Sequence, residues 1–249
     1  MASVDNALRL IQILRDTGEL RVSTASNELG MAVSTVHRLL AMLVYHGFAI
    51  RDDSKAYLPG PALGAVPVMG HSLKTVRNAC LPHLELLSGY LNETVTLHFR
   101  VGSKVRFLDA VESTAVLRIG SQRGVILDAR SASGGKALLA EASLQTLERL
   151  YRSRAAEIAG EALNDADFEK LLRQLEQVRR DGYARNFQET AAGVCAIGMS
   201  LHSRDGNAIA SFSVAVPAER STYLFDEKLL ALTREARRDM EAALAEALT

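Results

Sequence analysis

Ser34, Thr35, His37 and Arg38 carry side chains that suit contact with a nucleic-acid duplex. Short hydroxyls such as those of Ser34 and Thr35 bond phosphate oxygens and base edges, and an arginine such as Arg38 can bind guanine through two parallel hydrogen bonds. His37 is a second candidate for a base contact. If this segment begins a helix, the helix amino terminus also attracts phosphate. The chemistry of the segment therefore indicates DNA recognition.

The charge near this segment supports the same interpretation, although the chain as a whole is neutral. Lysine plus arginine and aspartate plus glutamate both number 29, so the overall charge gives no argument for a polyanionic partner. No acidic residue occurs between Glu28 and Asp52, whereas Arg51 lies inside this interval and Lys55 follows it. We expect Arg51 and Lys55 to add DNA contacts, with Lys55 reaching a phosphate or a minor groove.

Apolar periodicity predicts the elements that would position these side chains. Helices are expected over residues 4–14, from a Ser23 cap to Leu29, and from Ser34 to just before Gly47. The third helix places its apolar residues in one stripe and leaves Met42 and Tyr45 on the outward face with the candidate DNA contacts. The buried stripe is expected to comprise Val36, Leu39, Leu40, Leu43 and Val44.

Residues 48–51 and 56–58 follow as two strands joined by a turn. Three helices and a hairpin in this order predict a winged helix-turn-helix domain over residues 1–61. The alternative is a small helical domain whose solvent-facing side carries these residues without binding DNA.

A second segment with chemical potential is SASGGK at residues 131–136. A turn of small residues that opens a helix exposes N–H groups and the positive end of the helix dipole, which together bind anions such as a carboxylate. The alternative is a helix start that needs small residues only for packing. A nucleotide phosphate loop is excluded, because Arg130 and Ala137 occupy positions that require glycine and a hydroxyl residue.

The cysteines and histidines form no recognisable catalytic or metal-binding set. Cys80 and Cys195 are far apart and lack Cys or His neighbours at ligand spacing. Cys195 lies in an apolar strand, where a cysteine is usually just buried, and the later histidines lack the i, i+3 or i, i+4 grouping of a metal-binding helix. We expect no catalytic residue, no metal and no cofactor.

The remainder of the chain predicts a linker helix over residues 62–78 and a separate domain over residues 79–249. The helical pattern of residues 62–91 is interrupted near Gly70 and Pro82. Strands and helices then mix without strict alternation, which favours an α+β domain around an antiparallel sheet. Strands are expected at 94–100, 104–111, 115–120, 183–188, 194–201 and 207–216, and helices at 134–141, 143–152, 167–181 and 226–247.

Composition favours a soluble protein: 48% of residues are hydrophobic and 23% are charged. The amino-terminal segment is amphipathic and lacks the basic stretch and apolar run of a secretory signal. No apolar run approaches the ~20 residues that span a bilayer. We therefore expect a cytoplasmic location and no membrane contact.

Several motifs occur together in a characteristic order. They are Leu29-Gly30, STVHRLL at 34–40, Gly47, Arg51-Asp52, SASGGKALLA at 131–140, RDGY at 180–183, Glu189, GVCAI at 193–197 and SFSV at 211–214 before Pro217. In these motifs the sequence resembles the IclR family of transcriptional regulators over nearly its whole length. The resemblance implies a GAF-like effector-binding domain, homodimers that commonly pair into tetramers, and DNA binding that a small organic effector modulates. The effector is often a carboxylate or an aromatic metabolite.

The resemblance also implies which residues form the effector pocket. Val116 and Leu127 would form an apolar wall, and Ser133 and Gly134 would offer backbone amides. The rest of the pocket would be lined by Asn186, Ala196, Ser213 and Ala215. Relatives that bind small keto acids often have an acid near position 186 and a cysteine near position 196, whereas this chain has its cysteine one place earlier.

The sequence therefore predicts a sequence-specific transcriptional regulator, not an enzyme. Its partners would be double-stranded operator DNA, a small organic effector and further copies of itself, as a dimer or tetramer. One alternative is an enzyme acting on a small metabolite, with the amino-terminal domain as an interaction module. Another is a constitutive architectural DNA binder, against which the neutral net charge argues, since non-specific binding needs many phosphate contacts.

Overall fold

The computed structural model describes residues 2–17, 19–52, 55–63 and 73–248. The chain divides into two compact units. The first comprises Met1–Gly70, Val101–Ser103 and Gln145–Asn164, and the second comprises His71–Arg100, Lys104–Leu144 and Asp165–Thr249. Because neither unit is contiguous in sequence, the predicted limits of the three domains stay predictions. The central part of the predicted linker helix, residues 64–72, lies outside the described residues.

The first unit contains the three expected helices and the expected hairpin. Its elements are α1 (Ala2–Thr17), α2 (Val22–Leu29), α3 (Val33–Tyr45), β1 (Ala49–Arg51), β2 (Tyr57–Pro59) and a short 3-10 turn at Pro61–Leu63. Strands β1 and β2 pair antiparallel, with Ile50 opposite Leu58. Leu20 forms a bridge to Tyr57, which attaches the segment before α2 to the hairpin. The helix-turn-helix and its hairpin are therefore confirmed.

The core of this unit follows the apolar stripes of its helices. Leu10 and Leu14 of α1 are fully buried, one helical turn apart. The predicted stripe of α3 is also buried, except that Val44 is only partly so. Tyr45 was expected on the outward face and this was wrong, because it is buried and its hydroxyl lies 3.0 Å from Ser103 Oγ.

The expected Ser23 cap of α2 was wrong by two residues, and the expected start of α3 at Ser34 was one residue late. α2 begins after Arg21 and α3 begins after Ala32, and neither helix has a side-chain cap. Gly30 ends α2 as expected, with a φ of 63° and its N–H bonded to the Ser26 carbonyl. Left-handed backbone of this kind is most accessible to glycine. The turn between α2 and α3 is thus held by its glycine rather than by serine caps.

Two later helices complete the first unit. They are α6 (Leu144–Tyr151), which belongs to this unit from Gln145 onward, and α7 (Arg154–Ala159). The sequence predicted α6 but not α7, which is only six residues long. α7 packs against α3 within the unit.

The second unit is built on a six-stranded sheet with the order β5-β4-β3-β8-β7-β6. The strands are β3 (Thr94–Val101), β4 (Lys104–Val111), β5 (Ile126–Asp128), β6 (Ala184–Phe187), β7 (Val194–His202) and β8 (Ala208–Pro217). The pairs β4–β5, β3–β8, β7–β8 and β6–β7 are antiparallel. This confirms the α+β class with an antiparallel sheet.

Four further helices pack on this sheet or on each other: α4 (Leu73–Leu91), α5 (Ser133–Ala140), α8 (Asp165–Asp181) and α9 (Glu227–Ala247). All eight residues of α5 are buried, and this helix packs against β7 and β8. α4 packs against α9 and runs through Pro82 without a break, so the expected interruption there was wrong. Pro82 is exposed, so its ring points away from the packed side of the helix.

One expected strand is absent from the second unit: residues 115–117 form bends and residues 118–120 have no regular secondary structure. Two side chains from outside this segment bond backbone groups in it or next to it. The Thr94 hydroxyl donates to the Ile119 carbonyl at 2.6 Å, and the Glu112 carboxylate accepts from the Ser121 N–H at 2.9 Å. The segment 112–125 therefore crosses the unit as an irregular loop.

No helix within the described ranges combines the length and the apolar character that crossing a bilayer requires.

Candidate nucleic-acid interface and ligand cavity

The amino-terminal half of α3 presents the predicted DNA contacts to solvent. Ser34, His37 and Arg38 are exposed and Thr35 is partly exposed. Val36 between them is fully buried, which fixes the rotation of the helix about its axis. The helix period therefore separates a packed side from a polar side, as a recognition helix requires.

The hairpin after α3 presents the two remaining predicted contacts. Arg51 is exposed, and its guanidinium lies 5.6 Å from the centre of the buried Tyr57 ring. Lys55 is exposed at the turn and has a φ of 64°, which is left-handed backbone. The turn is closed by the Asp52 carboxylate, which accepts from the Ala56 N–H at 2.9 Å. Lys55 thus occupies the turn position where a glycine would be unstrained.

The second unit contains a cavity of about 30 Å³, which is room for one or two waters. Six of the residues that the sequence indicated for an effector pocket lie on its wall. They are Ser133, Gly134, Asn186, Ala196, Ser213 and Ala215.

The amino terminus of α5 forms one side of this cavity. Ala132 is the N-cap residue and offers no side-chain oxygen to the first turn. Gly134 is needed here because a Cβ on it would lie 2.4 Å from His98 Nδ1 and 2.9 Å from Ser211 Oγ. The helix therefore presents backbone amides and no bulky side chain, which favours a small anion.

A hydrogen-bonded group of uncharged side chains forms another side of the cavity. Thr96 Oγ1 lies 2.8 Å from both His98 Nε2 and Ser213 Oγ. Burial lowers the pKa of His98 to about 3, a lowering that the Ser211 backbone opposes only in part. The imidazole is therefore neutral at physiological pH, and none of the described residues that line the cavity carries a charged side chain.

Two of the expected pocket residues lie elsewhere. Val116 is fully exposed on the 112–125 loop, because the strand expected there does not form. Leu127 lies in β5 at the edge of the sheet, opposite Val105. The loop instead contributes Ile119, Gly120 and Gln122 to the wall of the cavity.

Sequence reasoning missed Thr96, His98 and Phe107 as cavity residues. A signal for the first two was present in TVTLHFR, where polar and apolar residues alternate. Val95 and Leu97 are fully buried, yet Thr96 and His98 between them are buried as well. Polar residues inside a strand that is buried on both faces need hydrogen-bond partners, and such groups often belong to a site.

The two thiols are buried and protonated. Burial raises the pKa of Cys80 to about 12 and also raises the pKa of Cys195. A protonated thiol is a poor nucleophile. Within the part of the chain that the structure describes, no three His, Cys, Asp or Glu side chains come together to hold a metal ion.

A helix-turn-helix unit and a sheet unit with an internal cavity define a class of protein, the DNA-binding regulators with a ligand-binding domain. Residues 71–242 match the family model described as "Bacterial transcriptional regulator IclR C-terminal", and residues 3–53 match the IclR helix-turn-helix domain. The chain belongs to the IclR family. It is a transcriptional regulator with an N-terminal DNA-binding domain and a C-terminal effector-binding domain.

Curated relatives align over almost the whole chain. The HTH-type transcriptional regulator BhcR of Paracoccus denitrificans is 29% identical over 98% of this chain and 87% of its own length. The HTH-type transcriptional repressor AllR of Escherichia coli K12 is 26% identical over 97% of this chain and 90% of its own length.

Solved structures show the same fold. The Thermotoga maritima IclR structure is 23% identical, has a TM-score of 0.58, and covers 98% of this chain and 99% of its own. An IclR homologue from Microbacterium hydrocarbonoxydans, complexed with 4-hydroxybenzoate, is 22% identical with a TM-score of 0.60 over 98% and 99% of the two chains.

Proposed function

We propose that this regulator binds double-stranded operator DNA through α3 and the hairpin, and that a compact monocarboxylate, aliphatic or aromatic, modulates this binding from the cavity. The DNA contacts would be Ser34, Thr35, His37, Arg38, Arg51 and Lys55. The effector contacts would include Ser133, Gly134, Asn186, Ala196, Ser213 and Ala215. The observation that carries the proposal is a cavity that joins the amino terminus of α5 to a cluster of hydroxyls and whose described lining residues carry no charged side chain.

The chemistry of the cavity supports a carboxylate with a small organic body. The amides and the dipole at the start of α5 favour one negative charge. Thr96 and Ser213 supply hydroxyls, and Phe107 supplies an apolar surface. A dianion would find no lysine or arginine in the wall to neutralise its second charge. The small volume further favours a compact ligand, for which the 112–125 loop would have to move outward.

The alternative of an enzyme is disfavoured by the state of its potential nucleophiles. The thiol of Cys195 is buried, with a raised pKa, and the imidazole of His98 is a weak base. General bases that act near neutral pH need a pKa near that pH. We therefore propose that the cavity binds its ligand without converting it. Incubation of the protein with a bound acid, followed by mass spectrometry, would show conversion if this is wrong.

We also propose a homo-oligomer that acts in the cytoplasm. Val4 and Leu8 are one turn apart on α1, and their side chains are 67% and 55% exposed. A second copy could cover this apolar pair on α1. A symmetric dimer would place two copies of α3 in successive major grooves and thus select a palindromic operator. Light scattering of the full chain and of the Leu8→Glu variant tests this assembly, whether the wild type is a dimer or a tetramer.

The DNA half of the proposal is tested with duplexes that the protein selects from a random pool. Arg38→Ala should weaken binding to the selected duplex by about 1–3 kcal/mol and relax discrimination at one base position. Arg173→Ala is the matched control, because Arg173 is exposed on α8 and pairs only with Glu169 among the ion pairs found. An equal loss on random DNA would mean that Arg38 contacts phosphate alone, and no loss would refute a role for α3.

The effector half is tested by a thermal-shift screen with acetate, propionate, benzoate and 4-hydroxybenzoate. A ligand at 100 times its dissociation constant stabilises the folded state by about 2.7 kcal/mol. The corresponding primary amides are the controls, because they keep the shape and remove the charge. An acid that acts as the effector should also change operator affinity, and bound operator should then change the affinity for that acid by the same factor. Stabilisation by the amides but not by the acids would contradict a carboxylate site.

A further inference from the structure

Lys136 is a buried cation that the DNA-binding and effector-binding roles leave unexplained. It lies on α5 three residues after Ser133, and its side chain is only 5% exposed. Its ammonium bonds the Glu189 carboxylate at 2.5 and 2.6 Å and the Arg185 carbonyl at 2.9 Å. Burying an ammonium is costly unless its charge is paired and its protons are bonded. A well-packed apolar residue at position 136 would therefore avoid the free-energy cost of burying this charge.

Glu189 belongs to a turn that carries part of the cavity wall. Its N–H donates to the Asn186 side-chain oxygen at 2.9 Å, and the Asn186 amide donates to Thr190 Oγ1 at 2.7 Å. Asn186 and Thr190 both line the cavity. Gln188, between them, has a φ of 58°, left-handed backbone that costs free energy unless the surroundings hold it. The polar groups of this wall are therefore placed by the turn as a whole.

The ion pair connects this turn to α5, the helix that carries another part of the wall. Lys136 and Glu189 are 53 residues apart in sequence, and each belongs to a segment that supplies cavity residues. Ser133 and Gly134 stand at the start of the helix that carries Lys136. A change in the length or direction of the Lys136–Glu189 contact would change the distance between the two polar walls.

We propose that Lys136 and Glu189 are positioning residues of the effector cavity, whose ion pair holds the Asn186–Thr190 turn at a fixed distance from the amides of Ser133 and Gly134. This inference rests on the proposed effector-binding role of the cavity. The pair touches no ligand itself. It sets the spacing between the group that receives the carboxylate and the groups that bond the rest of the ligand, and so selects ligand length.

Lys136 is more deeply buried than Glu189, and this difference decides which of the two residues is replaced in the test. Glu189 is 37% exposed, so its carboxylate can turn to water when Lys136 is replaced. The buried Lys136 ammonium cannot turn to water in the same way. Glu189→Gln would therefore leave this ammonium buried with weaker hydrogen-bond partners. Lys136→Met, which keeps the length of the side chain, is therefore the variant that releases the turn while preserving the fold.

Amide hydrogen exchange of the full chain, followed by NMR, tests the positioning role without any ligand. Lys136→Met should speed exchange at the Glu189 amide at least tenfold and leave the amides of β7 and β8 unchanged. Lys136→Arg keeps the cation and should restore most of the protection. Arg173→Met, on the exposed side of α8, is the control and should change nothing at the turn. Unchanged exchange at Glu189, or an equal increase throughout the sheet, would reduce the pair to a stabilising contact and overturn the proposal.

Ligand affinity gives the second readout, with propionate and benzoate as probes in calorimetry. Lys136→Met should weaken the tighter-binding probe at least tenfold and reduce the ratio between the two affinities, while binding to the selected duplex without ligand stays as in the wild type. If Lys136→Met releases the turn but binds propionate and benzoate with the wild-type affinities, and hence in the same ratio, the ion pair does not select ligand length. If the wild type binds neither probe, the proposed effector class fails, whereas the exchange experiment still decides whether the pair positions the turn.

Discussion

Substitution of Gly198 tests how closely α5 packs against the sheet. A Cβ on Gly198 would lie 2.6 Å from both the Gly134 nitrogen and the Ser133 carbonyl carbon, and 2.8 Å from the Ser133 oxygen. These contacts are roughly 0.6–0.8 Å shorter than an ordinary contact of 3.4 Å. Since all three atoms belong to the backbone, no side-chain rotation can relieve them. In Gly198→Ala the first turn of α5 must therefore move away from β7.

The expected cost of Gly198→Ala is that of an overpacked core, about 1–3 kcal/mol. For a chain of this size each kcal/mol corresponds to about 2–4 °C in Tm, so we expect a fall of roughly 2–12 °C in differential scanning calorimetry. The same displacement moves the amides of Ser133 and Gly134, so affinity for any bound carboxylate should fall as well.

Gly89→Ala is the matched control for this substitution. Gly89 lies inside α4, and a Cβ there would meet nothing within 4 Å. Alanine is favoured over glycine in a helix, so this variant should gain about 0.5–1 kcal/mol. The reasoning is refuted if Gly198→Ala is as stable as the wild type, or if Gly89→Ala loses as much stability as Gly198→Ala.

Three further outcomes follow from buried groups. Burial holds the pKa of His98 at about 3 against an ordinary 6.5, so the unfolded chain takes up this proton first. The free energy of unfolding should therefore fall as pH drops from 6.5 toward 3, by up to about 1.4 kcal/mol per pH unit from this group. Urea unfolding at several pH values should show that the free energy of unfolding of His98→Gln depends less steeply on pH than that of the wild type. Equal pH dependence in the two proteins would contradict the lowered pKa of His98. Cys80, with a pKa raised to about 12, should react with a thiol reagent only in denaturant, and fast labelling of native protein would show that it is accessible. Tyr45→Phe removes the contact with Ser103 and should cost about 1 kcal/mol in chemical unfolding, whereas a gain in stability would mean that this contact is unfavourable.

Long periodic segments were predictable from the sequence because their burial follows one helical or strand period. In α8, which was predicted over residues 167–181, the buried residues Phe168, Leu171 and Leu175 follow the i, i+3, i+7 spacing of one helix face. Two very short elements were missed, although the three-residue strands of the hairpin were predicted with the turn between them. β5 has three residues and α7 has six, too few for a period to stand out. The segment 115–120 is largely apolar, as a buried strand is, but the Thr94 hydroxyl bonds the Ile119 carbonyl and the Glu112 carboxylate bonds the adjacent Ser121 N–H, and the segment is a loop.

The sequence by itself determined the recognition helix, the small-residue start of α5 and the family, because each depends on residues close together along the chain. Only the tertiary structure decided which distant residues meet at the cavity. It excluded Val116, brought His98 to the wall, and joined Lys136 to Glu189. The physical reason is that burial and hydrogen bonding at such a site depend on packing between segments far apart in sequence, which local periodicity does not contain.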